Sequence, residues 1–287
     1  MTSPGRQSAR RSEARVGISG WVYKPWRGVF YPKGLKQAEE LAYASRHVTS
    51  IEINGSFYSL QRPASWAKWR DTVPGDFVFA VKGPRFITHI RRLQELDGPL
   101  ANFFASGVLG LGTKLGPFLW QLPPTLPFEA GLLDEFLSRL PHTLSDAAGL
   151  ATGHDAWMDG RAWFEVGADA GATPVRHAVE VRHPSFETAI EEWTELLQRH
   201  KVASVTADSA GKFPVIDAVT ADFAYARLHG KDELYVSGYD ADAIEHWATW
   251  CETHLAAGRD VFVYFDNDTK VRAPVDAMSL IARLGQR

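Results

Sequence analysis

Cysteine is almost missing from this chain. Cys251 is the single one among 287 residues, so no internal disulfide and no CxxC pair exist. It falls in an apolar stripe with Trp247 and Leu255, which assigns it to core packing in a reducing, cytoplasmic setting. Excess charge is missing too. The formal net charge of −3 gives bulk electrostatics no reason to select nucleic acid or membrane. No apolar run approaches the length of a membrane span, so no membrane partner is expected. No GxGxxG, P-loop, HExxH or fixed-period repeat occurs, which removes the motif-borne dinucleotide, nucleotide and zinc-protease classes.

What is present is an ordinary globular composition, 45% hydrophobic and 23% charged, at a length that suits one large domain. Residues 1–15, "MTSPGRQSARRSEAR", are basic and polar with no apolar segment behind them; they read as a disordered leader rather than a signal peptide. Eight β-rich runs follow: from Val16, Val48, Phe77, Pro117, Ala178, Val202, Phe223 and Val261. Between them lie helix-period stripes, such as Leu35–Ala38–Leu41–Ala42 and Phe186–Ile190–Trp193–Leu197, the latter with Ser185 as N-cap. A third stripe is Ile244–Trp247–Cys251–Leu255, and Ala277, Met278, Ile281 and Leu284 close the chain. Eight strands alternating with helices predict an α/β fold, a closed (β/α)8 TIM barrel over 16–287. The Ala-, Gly- and Asp-rich stretch 142–176 is long for a connection and reads as an insert before strand five, with a short hairpin around Trp163 to Val166.

Alternate strand residues face opposite sides. Placing the plainly apolar set toward the helices turns a polar set inward: Glu52 and Asn54, Lys82, Gln121, Glu180 and Arg182, Ser204, Thr206 and Asp208, Arg227 and His229, Tyr264 and Asp266. Most of these come late in their strands, at the end where barrel enzymes carry their sites. Buried charges require partners whatever the function, so structural ion pairs such as Glu52–Arg182 or Glu180–Arg227 are equally expected for any one residue.

The ordered motifs "GISGWVYKPWRGVFYP", "EINGSFYSL", "FVFAVKGPRFITH", "FLWQLPP", "VEVRHPSF", "YARLHG" and "VYFDND" resemble the DUF72, or YecE-like, family. The resemblance implies a TIM barrel from Val16 to the C-terminus, an activity that is not established, and distant similarity to endonuclease IV and xylose isomerase barrels. Two positions depart from the family pattern. Asp266 stands where Asn is usual in an Asn-Asn-Asp run completed by Asn267 and Asp268, and Phe186 stands where Trp follows Ser in many members. The 142–176 segment is also longer than usual.

Three functional classes fit this ring. The first is an enzyme, of hydrolase or isomerase/lyase type, using carboxylate and histidine acid–base chemistry on a small anionic or polyhydroxylated molecule. Glu180 is then the base, His229 the relay or acid, and Glu52 and Asp208 further candidates. Lys82, Arg182 and Arg227 are anchors, with Asn54, Gln121, Asp266 and Asn267 as further contacts and Trp21 and Tyr58 as an aromatic rim. Lys82 is also a candidate Schiff-base amine, and Thr88 and His89 reach toward the mouth. The second class is a metal-assisted phosphodiester hydrolase. Glu52, Glu180, Asp208, His229 and Asp266 are metal-ligand types, but Lys82, Arg182 and Arg227 in the same ring repel a cation, so no metal or cofactor is assigned. Arg85, Arg91 and Arg92 form the basic run that nucleic-acid binding would need. The third is a non-catalytic ligand binder. Substrate identity and oligomeric state are not encoded in any motif.

Overall fold

The computed structural model describes residues 12–285. Its centre is a closed barrel of eight parallel strands in sequence order. These are β1 (Ala14–Ser19), β2 (Ser50–Ile53), β3 (Val78–Lys82), β4 (Leu115–Gln121), β5 (His177–Glu180), β6 (Ala203–Asp208), β7 (Phe223–Leu228) and β8 (Asp260–Phe265). Every run expected from the sequence is a strand. β8 pairs with β1 from Ala14↔Val261 to Ile18↔Phe265, which closes the barrel and leaves no edge.

The strands are joined by α1 (Glu40–Ala44), α2 (Gly55–Tyr58), α3 (Pro63–Thr72), α4 (Asp97–Ala105), α5 (Ala130–Ser138), α6 (Leu144–Ala151), α7 (Ser185–Thr188) and α8 (Ile190–Arg199). After β7 comes α9 (Ala241–Ala256), and α10 (Arg272–Arg283) follows β8. No helix lies between β6 and β7; residues 209–222 cross as an irregular loop. No described helix is long and apolar enough to cross a membrane.

Two apolar layers result. The outer one packs Val16, Ile51, Phe79, Trp120, Val179, Ala226 and Val263 against the helices. The inner one fills the barrel with Ala80, Leu119, Ala178, Val205, Phe223, Tyr225, Phe262 and Tyr264. Gly17 matters to this packing: a Cβ there would lie 1.7 Å from the Ser50 carbonyl oxygen, so only glycine lets β1 and β2 approach. Above the inner layer the filling turns polar.

Three local expectations are corrected. Ser185 does not cap the helix. Its helix breaks after Thr188, α8 starts afresh at Ile190, and the Ser185 hydroxyl accepts from Phe128 N at 2.7 Å instead. Trp163 to Val166 form no hairpin; Trp163 makes a single bridge to Ser106. Within 142–176 the longest element is α6, with the Thr143/Asp146 capping box and buried Leu144, Ala147 and Ala151, and short 3-10 turns follow at Ala156–Met158 and Ala168–Ala170. Ala14 and Arg15 belong to β1 and Ser12 and Glu13 lead into it, while residues 1–11 of the basic leader lie outside the described residues.

Candidate functional site

At the C-terminal end of the barrel the inward residues of β2, β5, β7 and β8 converge on one guanidinium. Arg227, fully buried on β7, donates Nε and NH2 to Glu52 at 3.1 and 2.8 Å. Its NH1 donates to Glu180 at 2.6 Å and its NH2 also to Asp266 at 2.9 Å. NH1 lies 3.5 Å from His229 Nε2 as well. With five N–H groups and these five contacts, Arg227 has no donor left for a ligand. It is the hub of the cluster rather than a substrate anchor. Burial disfavours its charge, but Glu52, Glu180 and Asp266 outweigh that and raise its pKa well above the ordinary value.

Glu52 is saturated too. Besides Arg227, it accepts from Ser19 at 2.9 Å and from the Tyr225 hydroxyl at 2.6 Å. Glu180 accepts from Arg182 Nε at 2.6 Å in addition to Arg227. Burial alone would raise Glu180, yet Arg182 and Arg227 hold it well below the carboxylate range. A carboxylate so stabilised is a weak base, so Glu180 serves the cluster's geometry, and Glu52, with both oxygens engaged by Arg227, Ser19 and Tyr225, does the same. Asp266 behaves alike: burial raises it, while Arg227 and His229 bring it down to about 2. His229 is buried between these acids, Nδ1 at 3.1 Å from Asp266 and out of hydrogen-bond alignment, and Nε2 at 3.7 Å from Glu180.

β6 contradicts the inward assignment of Ser204, Thr206 and Asp208. Ala203, Val205 and Ala207 fill the interior instead. The reason is the missing helix after β6. Its outer face meets the polar 209–222 loop, where Thr220 accepts from Ser204 N at 2.8 Å and Asp217 from the Thr206 hydroxyl at 3.1 Å. Asp208 faces the Tyr239 hydroxyl behind the barrel wall, and burial raises its pKa. It is not a catalytic candidate. Without Asp208 the inward cluster has three acids (Glu52, Glu180, Asp266) and three bases (Lys82, Arg182, Arg227), a balance of charge in a buried space. The carboxylates proposed as metal ligands converge on Arg227, which occupies the place a cation would take. Among the described residues no group of three or more His, Cys, Asp or Glu is placed to hold a metal.

The opposite half of the mouth differs. Lys82 at the end of β3 is 8% exposed, donates to Gln121 Oε1 at 2.8 Å, and lies 4.3 Å from the centre of the Phe57 ring. It forms no salt bridge among the described residues. Burial first, and Arg227 second, lower it to about 8. Arg182 spends Nε on Glu180 and lies 4.6 Å over the Phe213 ring, with its far end against the Tyr235 hydroxyl. His89 packs edge-on against Phe57 at 5.1 Å, and its Nδ1 lies 2.8 Å from the Thr88 hydroxyl. Burial, then Lys82, Arg85 and Arg182, lower His89 to about 4, so it is neutral at pH 7. Asn54 follows β2 as the N-cap of α2 in a helical backbone conformation, and its buried Oδ1 has no partner among the described residues.

The rim is less aromatic than expected. Trp21 turns to the side, packing edge-on against Trp69 at 5.4 Å in a groove between α1 and α3. Tyr58 is 72% exposed at the end of α2, touching Phe57. Asn267 faces outward, donating to Ser237 O and to Asp276 at 2.9 and 2.8 Å. Sequence reasoning passed over Ser19, in register with Glu52, and Tyr225, two residues before Arg227 on β7. It also passed over Asp268, raised to about 6 by burial and by Asp266, and over Phe213 and Tyr235. Tyr235 covers His229 edge-on at 5.3 Å from a left-handed backbone (φ 63°). Loop residues of this kind leave no periodic signal.

A single (β/α)8 barrel with a charge-balanced cluster at its C-terminal end defines the class of protein. The chain belongs to the DUF72 family, described as a protein of unknown function, whose model matches residues 15–287. It is 28% identical to the UPF0759 protein YecE of Escherichia coli O157:H7 over 198 residues, 68% of this chain and 58% of that protein. The chain thus spans little more than half the length of that relative, and 44% of YecE from strain K12, at 32% identity. The UPF0759 protein YunF of Bacillus subtilis is 22% identical, with 88% of each chain covered. Among solved structures, a DUF72 family protein from Thermotoga maritima superposes with a TM-score of 0.74 at 23% identity, covering 96% of this chain and all of that one. One from Enterococcus faecalis gives 0.72 at 16% identity, with 96% of each covered. These likenesses establish the family and its fold.

Proposed function

We propose that this protein is an enzyme acting on a small anionic, polyhydroxylated molecule at the C-terminal end of the barrel. One observation carries this reading: the mouth separates its charges. The carboxylates are engaged by Arg227 and by Nε of Arg182, whereas Lys82 has no carboxylate partner and shares the Phe57 ring with neutral His89. Two cations with aromatic backing suit a phosphate or carboxylate group, with Arg182 offering the bidentate fork. Asn54 Oδ1 and Gln121 are the neutral contacts for hydroxyl groups. Acid–base work falls to groups that titrate near neutrality or stand neutral there, Lys82, His89 and Asp268, rather than to Glu180. The buried thiol of Cys251 fits a reducing cytoplasmic setting.

Nucleic acid remains as a second reading because the same face carries exposed Tyr58, Phe86 and Ile90 beside Arg85, Arg91 and Arg92. A thermal-shift panel of sugar phosphates, sugar acids, neutral sugars and short oligonucleotides, run on wild type and Arg182→Met, separates the readings. Stabilisation by small anions alone, lost in the variant, is expected. Equal shifts from neutral sugars would rule the anion reading out, and a shift from oligonucleotides alone would replace it.

A further inference from the structure

Lys82 is the one cation of the inward cluster that no carboxylate holds. Its Nζ is fixed by a neutral amide oxygen, Gln121 Oε1 at 2.8 Å, and by the Phe57 ring at 4.3 Å. Arg227 is its charged neighbour of like sign within the cluster and repels its proton. Glu52, Glu180 and Asp266 attract that proton from farther off, but their oxygens are engaged by the guanidinium groups. An amine meant only as a structural cation would sit against a carboxylate, and three are available in the same cluster. This one is buried, oriented and kept apart from them, at the end of a barrel strand where substrates enter.

Resting on the function proposed above, we propose that Lys82 is a nucleophile that forms a Schiff base with the carbonyl of a small anionic aldehyde or ketone, the anion being held by Arg182. The neutral Nζ adds to the carbonyl carbon; a C–N bond forms as the C=O π pair moves to oxygen. Nitrogen then loses one proton and the oxygen gains one, giving a carbinolamine. Loss of the hydroxyl group as water, with one more proton supplied to it, leaves the protonated C=N bond, and release of that proton from nitrogen gives the imine. The balance is amine plus carbonyl to imine plus water, with no oxidant or reductant. His89 is placed to move these protons. It shares Phe57 with Lys82, is neutral, and has its Nε2 without a protein partner among the described residues. A lysine titrating near 8 is roughly a quarter neutral at pH 7.5, against about one part in a thousand for a free lysine.

The test is reductive trapping. Wild type and Lys82→Arg are incubated at pH 7.5 with pyruvate or with dihydroxyacetone phosphate and cyanoborohydride, and peptides are read by mass spectrometry. The expected result is an adduct on Lys82 at least about tenfold above that on exposed Lys33, Lys36 and Lys68, with none at position 82 in Lys82→Arg, which keeps the charge and the fold. Adducts confined to surface lysines, with Lys82 unmodified, would overturn the proposal. Ribitol 5-phosphate, which has no carbonyl, is titrated in parallel. If it binds through Arg182 while trapping fails, the nucleophile is refuted and the anion site stands; if neither occurs, both fall.

Discussion

Replacing Arg227 with methionine removes the one group on which three buried carboxylates depend. All five of its N–H contacts disappear, and Glu52 and Glu180 are left inside the barrel with no solvent. Breaking a buried ion pair by deleting one partner costs about 3–5 kcal/mol. Arg182 still partners Glu180, so about 4 kcal/mol is a fair expectation. With an unfolding entropy of roughly 0.6 kcal/mol per kelvin for a chain of 287 residues, Tm should fall by about 7 °C. The loss should also depend on pH. In the wild type, Glu180 and Asp266 titrate below their unfolded values. Their stabilisation is present above about pH 4 and disappears as pH falls through the folded values. In the variant, burial without the guanidinium raises both from their wild-type values, while Arg182 continues to lower Glu180. Its penalty is then largest at neutral pH and shrinks on acidification. Urea unfolding at pH 7.5 and pH 4.5 reads both effects. A deficit below about 1 kcal/mol, or one equal at the two pH values, would refute the hub role of Arg227.

Further outcomes follow from the same geometry. Lys82→Met should be as stable as wild type at pH 7 to within about 1 kcal/mol, because burying the charge now costs roughly what the Gln121 and Phe57 contacts return; a urea series from pH 7 to pH 10 should show wild type, but not the variant, gaining stability as Lys82 deprotonates. Asp266→Asn should cost about 1–2 kcal/mol, since Arg227 keeps Glu52 and Glu180, and should flatten the acid limb between pH 4 and pH 2. Gly17→Ala forces a Cβ onto the Ser50 carbonyl and should lower stability by more than about 3 kcal/mol or yield insoluble protein, measured by a circular dichroism melt. Asp208→Asn should leave the anion-induced shift of the thermal panel unchanged, because that side chain lies behind the wall.

Strand periodicity revealed the barrel because seven strands obey one rule, apolar residues toward helices and the rest inward. β6 broke the rule for a physical reason. Without a helix behind it, its outer face is solvated by Asp217 and Thr220, and the interior takes Ala203, Val205 and Ala207. The convergence of Glu52, Lys82, Gln121, Glu180, Arg182, Arg227, His229 and Asp266 at one end of the barrel was legible from strand parity. Their roles were not, since parity cannot show which donors are already spent. Arg227 and Arg182 look alike in sequence, yet one is enclosed by three acids and the other holds a single carboxylate, Glu180. Trp21 was misplaced because a residue following a strand can turn either to the mouth or to the neighbouring helix, and Trp69 supplies the second option.

The separation of charges at the mouth is tested most directly by calorimetric titration. Inorganic phosphate, ribose 5-phosphate and ribose are each titrated into wild type and into the Lys82→Met, Arg182→Met double variant at pH 7. Two charge-assisted contacts of about 1.5–3 kcal/mol each should make the phosphate-bearing ligands bind at least about a hundredfold tighter to wild type than to the double variant. Ribose should bind neither detectably. Undiminished phosphate binding by the double variant, or ribose binding as well as its phosphate, would contradict a mouth built for anions.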